Sequence, residues 1–124
     1  MWGLRKDAHM SRLFVTALGV VAALAVSSSA FAQDKALVDK GMKVYTEQKC
    51  SLCHSIDGKG NVKGSLDGVA AKLKTAEIRE WITDPKGMTV KMKAERKPPM
   101  KAYPNLAKED VDALVAYMLT LNKK

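Results

Sequence analysis

"KCSLCHSI", residues 49–56, holds both cysteines of the 124-residue chain and one of its two histidines. The other histidine, His9, precedes a hydrophobic run, so downstream of that run Cys50, Cys53 and His54 stand together with no further cysteine or histidine. Four arrangements compete for such a cluster. A disulfide between Cys50 and Cys53 is possible in an oxidising compartment, and a thioredoxin-like redox pair uses the same C-x-x-C spacing. That fold needs strands beside the motif, and the chain shows almost no period-2 apolar alternation. A zinc site needs about four ligands, and this stretch offers three, two of them adjacent and pointing apart.

The fourth arrangement uses all three side chains. If the stretch is helical, positions 50 and 53 share a face as i and i+3 neighbours do, and two thiols so placed can reach the two vinyl groups along one edge of a haem. His54, one residue on, can turn its imidazole to the iron. C-x-x-C-H is the attachment sequence of c-type haem, so the expected cofactor is one covalently held haem with its iron.

Upstream, residues 1–32 differ in composition from the rest. Arg5, Lys6 and Arg12 lead into the 14-residue apolar run Leu13–Val26, followed by a serine cluster and Ala30-Phe31-Ala32. That is the pattern of a secretory signal peptide with an Ala-x-Ala cleavage site. The run is short of the ~20 residues of a spanning helix, and the stretch from Met10 also reads as a complete leader. The expectation is therefore a leader over 1–32, a single domain over 33–124 and a periplasmic location, with an uncleaved anchor as the lesser alternative.

Cleavage removes three of the 21 basic and one of the 13 acidic residues and leaves a net charge of +6. The basic residues run through the whole domain with no arginine-rich tract and few aromatics, unlike the patches of nucleic-acid binders. The charge fits a soluble surface and steering toward acidic partner proteins, with a monomer expected. A domain of 92 residues buries a modest core, and such domains often draw reinforcement from a metal, disulfide or cofactor.

Helical spacing marks both ends of this domain. Over 36–49, Leu37, Gly41, Val44, Tyr45 and Gln48 form one mainly apolar stripe, and Val111, Leu114, Val115, Met118 and Leu121 repeat the pattern. Glu109 and Asp110 stand at the start of the last helix and Lys123 and Lys124 at its finish, matching the helix dipole. A third helix is expected over 76–83, with Thr75 as N-cap and a stop before Pro85. It carries Trp81, the one tryptophan outside the leader, expected in a core that the porphyrin would dominate. Residues 55–65, rich in glycine, read as a loop.

Gly41-Met42-Lys43-Val44-Tyr45, the C-x-x-C-H motif, Leu66-Asp67-Gly68-Val69, Trp81-Ile82-Thr83-Asp84-Pro85 and Met100 with Asn105-Leu106 together resemble the class I, mitochondrial-type monohaem cytochromes c of bacterial periplasms. The resemblance covers the whole chain after the leader. It implies an all-α fold in which the N- and C-terminal helices cross, Gly41 and Tyr45 meeting Leu114 and Tyr117, with shorter helices and loops wrapped around the haem. It places Leu66 and Trp81 in the haem pocket. Two positions depart from the family pattern. Gly64 stands where relatives carry a proline whose carbonyl accepts the proximal imidazole N–H, and Ala107 stands where the last helix commonly has a Ser or Thr cap.

For the second axial position of the iron, Met42, Met88, Met92, Met100 and Met118 are available. Met42 and Met118 sit on expected helices and suit packing. Met88, Met92 and Met100 are expected in one Lys- and Pro-rich loop, where Pro98, Pro99 and Pro104 restrict the backbone around Met100. The family pattern, a methionine about six residues before the leucine that opens the last helix, selects Met100. A His54/Met100 pair would close both axial positions and raise the potential. The expected function is therefore single-electron transfer without catalysis. A haem sensor or peroxidase-like protein with a labile sixth site is the alternative, and deprotonated Lys91, Lys93, Lys97 or Lys101 could replace Met100 at alkaline pH.

Overall fold

The computed structural model describes residues 34–122. The leader expected over 1–32 lies outside them, as do the two lysines that end the chain. Helix α1 runs through 34–47. Val44 is buried at 4 % exposure and Gly41 is buried beside it, whereas Leu37 at 37 % lies at the margin of the stripe.

α1 stops two residues short of the expected end. Gln48 and Lys49 close it with backbone bonds to Val44 O and Thr46 O, and Lys49 adopts a left-handed conformation with φ 55°. The cysteine motif therefore starts afresh as one turn of 3-10 helix, Cys50–Leu52. The stretch expected as loop contains a two-residue antiparallel ladder, β1 Ser55–Ile56 with β2 Lys59–Gly60, in register Ser55 with Gly60. Its turn, Asp57-Gly58, has both residues at positive φ, the tight-hairpin geometry that an Asp-Gly pair favours. A second 3-10 turn, Val62–Gly64, comes next.

Short helix α2, Val69–Lys72, leads to α3, Thr75–Thr83. The cap of α3 is Lys74, with Thr75 inside the helix, because the Glu77 carboxylate reaches back to accept from the Lys74 N–H at 2.8 Å. Ile78 and Ile82 form its buried face. Asp84 ends α3 and begins α4, Pro85–Lys91, its carboxylate accepting from Gly87 N–H at 3.0 Å with Pro85 in the first helical position. Met88 therefore belongs to a helix, buried at 2 % exposure, and not to one loop with Met100. Helix α5, Lys108–Leu119, starts at Ala107 with no side-chain cap, as the absence of Ser or Thr there implies.

The core joins Val44 of α1, Ile78 and Ile82 of α3, and Val111, Leu114, Val115 and Met118 of α5. α1 meets α5 at Gly41, where an added Cβ would overlap the Ala113 carbonyl oxygen and lie 2.7 Å from Tyr117 Cβ. Glycine is needed there because two backbones touch. Tyr45 and Tyr117 pack edge to face beside the crossing, ring centroids 5.9 Å apart. Ion pairs Lys40–Asp110 at 2.8 Å and Arg79–Asp112 at 2.5 Å tie α1 and α3 to the start of α5. Among the described residues, no helix is long and apolar enough to cross a membrane.

Candidate functional site

Beyond the Gly41 crossing, residues of α1, α3 and α5 also line a shared space. Between them lies a cavity of about 290 Å³, near the lower end of the ~300–1,000 Å³ of small-molecule sites. Ile78, Ile82, Leu114 and Met118 belong at once to the core and to its wall, so the hydrophobic interior of this domain is shaped around an open space. Trp81 and Leu66, both half-buried, line it as well. All six residues singled out from the sequence, Cys50, Cys53, His54, Leu66, Trp81 and Met100, border this one cavity. Met88 and Met92 are not among the lining residues, and Met92 is 44 % exposed.

The motif side is built locally. Cys50, half-buried, and Cys53, exposed, are unbridged. His54 N–H donates to Cys50 O at 3.0 Å, and the hairpin folds the next segment back so that Asn61 N–H donates to His54 O at 3.0 Å and Leu66 N–H to Ser55 O at 2.8 Å. This brings the Gly64 carbonyl to His54 Nδ1, 2.9 Å away. A carbonyl only accepts, so Nδ1 carries the proton and Nε2 keeps a free lone pair. Burial pushes the His54 pKa down, against the opposing effect of the Gly64 carbonyl and with a smaller push from the Arg96 charge. The ring is thus held as a neutral imidazole, the form that binds a metal.

Burial also raises the Cys50 thiol above its ordinary pKa. A redox dithiol of the thioredoxin kind needs the opposite, a stabilised thiolate. Nor do the described residues contain a group of three His, Cys, Asp or Glu side chains converging on one metal ion, the arrangement that a zinc centre needs.

The segment between α4 and α5 supplies a further part of the wall, Arg96, Pro98, Pro99, Met100 and Tyr103. Sequence reasoning missed Tyr103 and Arg96. Tyr103 lies close to Cys50, and its phenol is pushed up to about 12, first by burial and then by Cys50. Arg96 donates to the Cys53 carbonyl from 43 positions away in the chain. Neither has a sequence signal, because each is defined by a partner distant in the chain. Tyr45, on α1, also lines the cavity; its hydroxyl is buried without a partner and its pKa is raised to about 12, chiefly by burial.

These features fit a haem. The walls are mainly apolar, and two thiols, a neutral imidazole with a free Nε2 and the thioethers of Met100 and Met118 belong to the same cavity. The orphaned Tyr45 hydroxyl is a further sign that this space is shaped for a group beyond the polypeptide.

Comparison with known proteins agrees. A segment of cytochrome c oxidase subunit 2 from Alkalihalophilus pseudofirmus is 29 % identical over 94 residues, a match spanning 68 % of this chain and 26 % of that protein, so the chain covers about a quarter of that relative's length. No solved structure matches the chain. The family model described as cytochrome c matches residues 38–122. The chain therefore belongs to the cytochrome c family, with one covalently bound c-type haem and its iron as cofactor and haem-based electron transfer as its chemistry.

Proposed function

We propose that this protein is a single-electron carrier in which Cys50 and Cys53 hold the haem by thioethers and His54 and Met100 are the axial ligands of its iron. The observation that supports this reading is the joining of the two thiols, the oriented imidazole and Met100 in the wall of one apolar cavity. The haem supplies the redox couple. The chain supplies the rest: His54 Nδ1–H, tied to Gly64 O, fixes the ring and its tautomer, and the apolar walls exclude water. The Met100 thioether, as a ligand beside the imidazole, would favour the ferrous state. With both axial positions filled, no position is left for a substrate.

Exposure of Cys53, Pro98 and Pro99 leaves the cavity thinly covered on the motif side and the Met100 side, which suits electron exchange through a surface edge. The partners are acidic redox proteins met transiently. The ion pairs among the described residues use Lys35, Lys40, Lys43, Lys91, Lys108 and Arg79, and none of these pairs involves Lys49, Lys97 or Lys101, the chain neighbours of Cys50, Pro98 and Met100. Charges so placed raise encounter rates more than they tighten a complex. The likeness to a segment of an oxidase subunit is consistent with a place among electron-transferring proteins. A periplasmic, monomeric carrier completes the reading.

The test is the ferrous visible spectrum of the haem-loaded protein with and without carbon monoxide. A c-type spectrum unmoved by the gas supports the closed His54/Met100 pair. A shift would reveal an open or weakly held sixth site and favour a sensor or peroxidase-like role.

A further inference from the structure

The bond that orients His54 ends on a carbonyl belonging to glycine. At this place the backbone lacks the ring that would stiffen a proline, yet the space a side chain would take is not empty. A Cβ on Gly64 would overlap the Nη1 of Arg96 and the Cys53 carbonyl oxygen. The same guanidinium donates through Nη2 to that Cys53 carbonyl. One planar fork therefore lies against Gly64 and is tied to the peptide of the residue immediately before His54. Arg96 is also the one permanently charged side chain among the described residues lining the cavity, and it stands four residues before Met100.

We propose that Arg96 is a positioning residue for the proximal imidazole: its guanidinium, seated on Gly64 and bonded to Cys53 O, takes over the restraint that a proline at position 64 would provide. The inference rests on the reading of His54 as iron ligand. Together with the Cys53 carbonyl oxygen, the guanidinium occupies the volume in which a Cβ on residue 64 would stand. Arginine suits this task because its planar, multi-donor head can rest on one peptide while bonding another, and a lysine ammonium cannot do both. Because the chain runs on from Arg96 to Met100, the contact also straps the Met100-bearing segment to the motif side.

The readout is solvent exchange of the His54 Nδ1 proton in the ferrous, haem-loaded protein, measured by NMR and compared with the core amide of Val115. Loss of partners that orient a metal-bound histidine typically costs ~10–100-fold in metal affinity or activity. R96Q is expected to speed the Nδ1 exchange roughly tenfold or more, R96K to do nearly the same, and K97Q to leave it at the parental rate, with Val115 unchanged in all three. Parental exchange in both Arg96 variants would overturn the proposal. So would full rescue by R96K, which would mean that a point charge suffices, or equal acceleration of the Val115 amide, which would mean general loosening. If R96Q does not fold, R96K, which keeps the aliphatic stem and the charge, carries the same test. Failure of the ligation reading is distinguishable: the parent itself would then lack a low-spin spectrum and a slowly exchanging Nδ1 proton.

Discussion

The two walls of the cavity are held by different means. On the motif side, Cys50, Cys53, His54 and Leu66 fall within 17 consecutive residues, cross-tied by backbone bonds from His54 to Cys50, Asn61 to His54 and Leu66 to Ser55. On the Met100 side, the tie of Ala94 N–H to Thr89 O and that of Leu106 N–H to Tyr103 O bracket a stretch, 95–102, that makes no backbone-to-backbone bond among the described residues. Pro98 and Pro99 have no N–H to offer. What holds this stretch is side chains, Arg96 on the Cys53 carbonyl and Lys101 over the Tyr103 ring at 5.2 Å. Segments with few backbone ties and exposed side chains open at lower free energy than core helices. The motif side is thus built to stay and the Met100 side to yield.

The largest expected effects lie on the motif side. Replacing His54 by Ala, or Cys50 and Cys53 together by Ser, should all but abolish recovery of covalently haem-loaded protein, measured by haem-stained gels and the pyridine haemochrome. Met100→Ala should instead yield loaded protein with an open sixth site that takes up carbon monoxide. Its potential should fall by roughly 0.1–0.3 V, within the ~0.8 V spread set by axial ligands. Equal loss of haem in both sets would erase the contrast.

Next comes the helix crossing. Gly41→Ala forces a methyl against the Ala113 carbonyl and should cost about 1–3 kcal/mol, the usual range for overpacking. Guanidinium titration should show this in the far-UV circular dichroism midpoint while the ferric Met100 band is still lost first. Simultaneous loss of both signals in the parent would mean that the two walls open as one.

Alkaline pH sharpens the comparison further. A lysine must lose its proton before it can replace Met100, and Lys91 is pushed above its ordinary pKa by its bond to Glu80 at 2.8 Å. Lys91→Ala should therefore leave the alkaline loss of the ferric methionine band where it is, and removal of Lys93, Lys97 or Lys101 should move it upward. Persistence of the band well above the lysine pKa would exclude such a switch.

The smallest effect is at Asp112. Hydrogen bonds from Lys108 and then Arg79 lower its pKa in the folded protein. Its stabilising contribution is accordingly present above the unfolded carboxylate value of about 4 and lost as pH falls through the lower folded value. Asp112→Asn should flatten the acid dependence of the unfolding midpoint below about pH 4, leaving the midpoint near neutrality only slightly lowered.

Much of this architecture was legible in the chain. The motif Cys50-x-x-Cys53-His54, the stripes of α1 and α5 and the stop before Pro85 are short-range patterns, and local sterics and periodicity enforce them. Two further features are local as well, though periodicity does not reveal them. Asp57-Gly58 marks a tight hairpin, and Asp84-Pro85 marks a helix start that carries Met88 away from the Met100 segment. The break at Lys49 has no signal at all, since the left-handed backbone of that lysine is imposed by the turn of the cysteine motif packed after it.

By itself the sequence determined the chemistry on offer: two thiols and an imidazole at fixed spacing, one histidine downstream of residue 32, and helices with apolar faces. Only the tertiary structure decided that Met88 and Met92 stay out of the cavity wall while Met100 and Met118 share it, that Gly64 O meets His54 Nδ1, and that Arg96 lies against Gly64. The reason is physical. Spacing along a chain constrains residues a few positions apart, whereas contacts across 43 residues depend on how the helices pack around a space that the polypeptide does not fill.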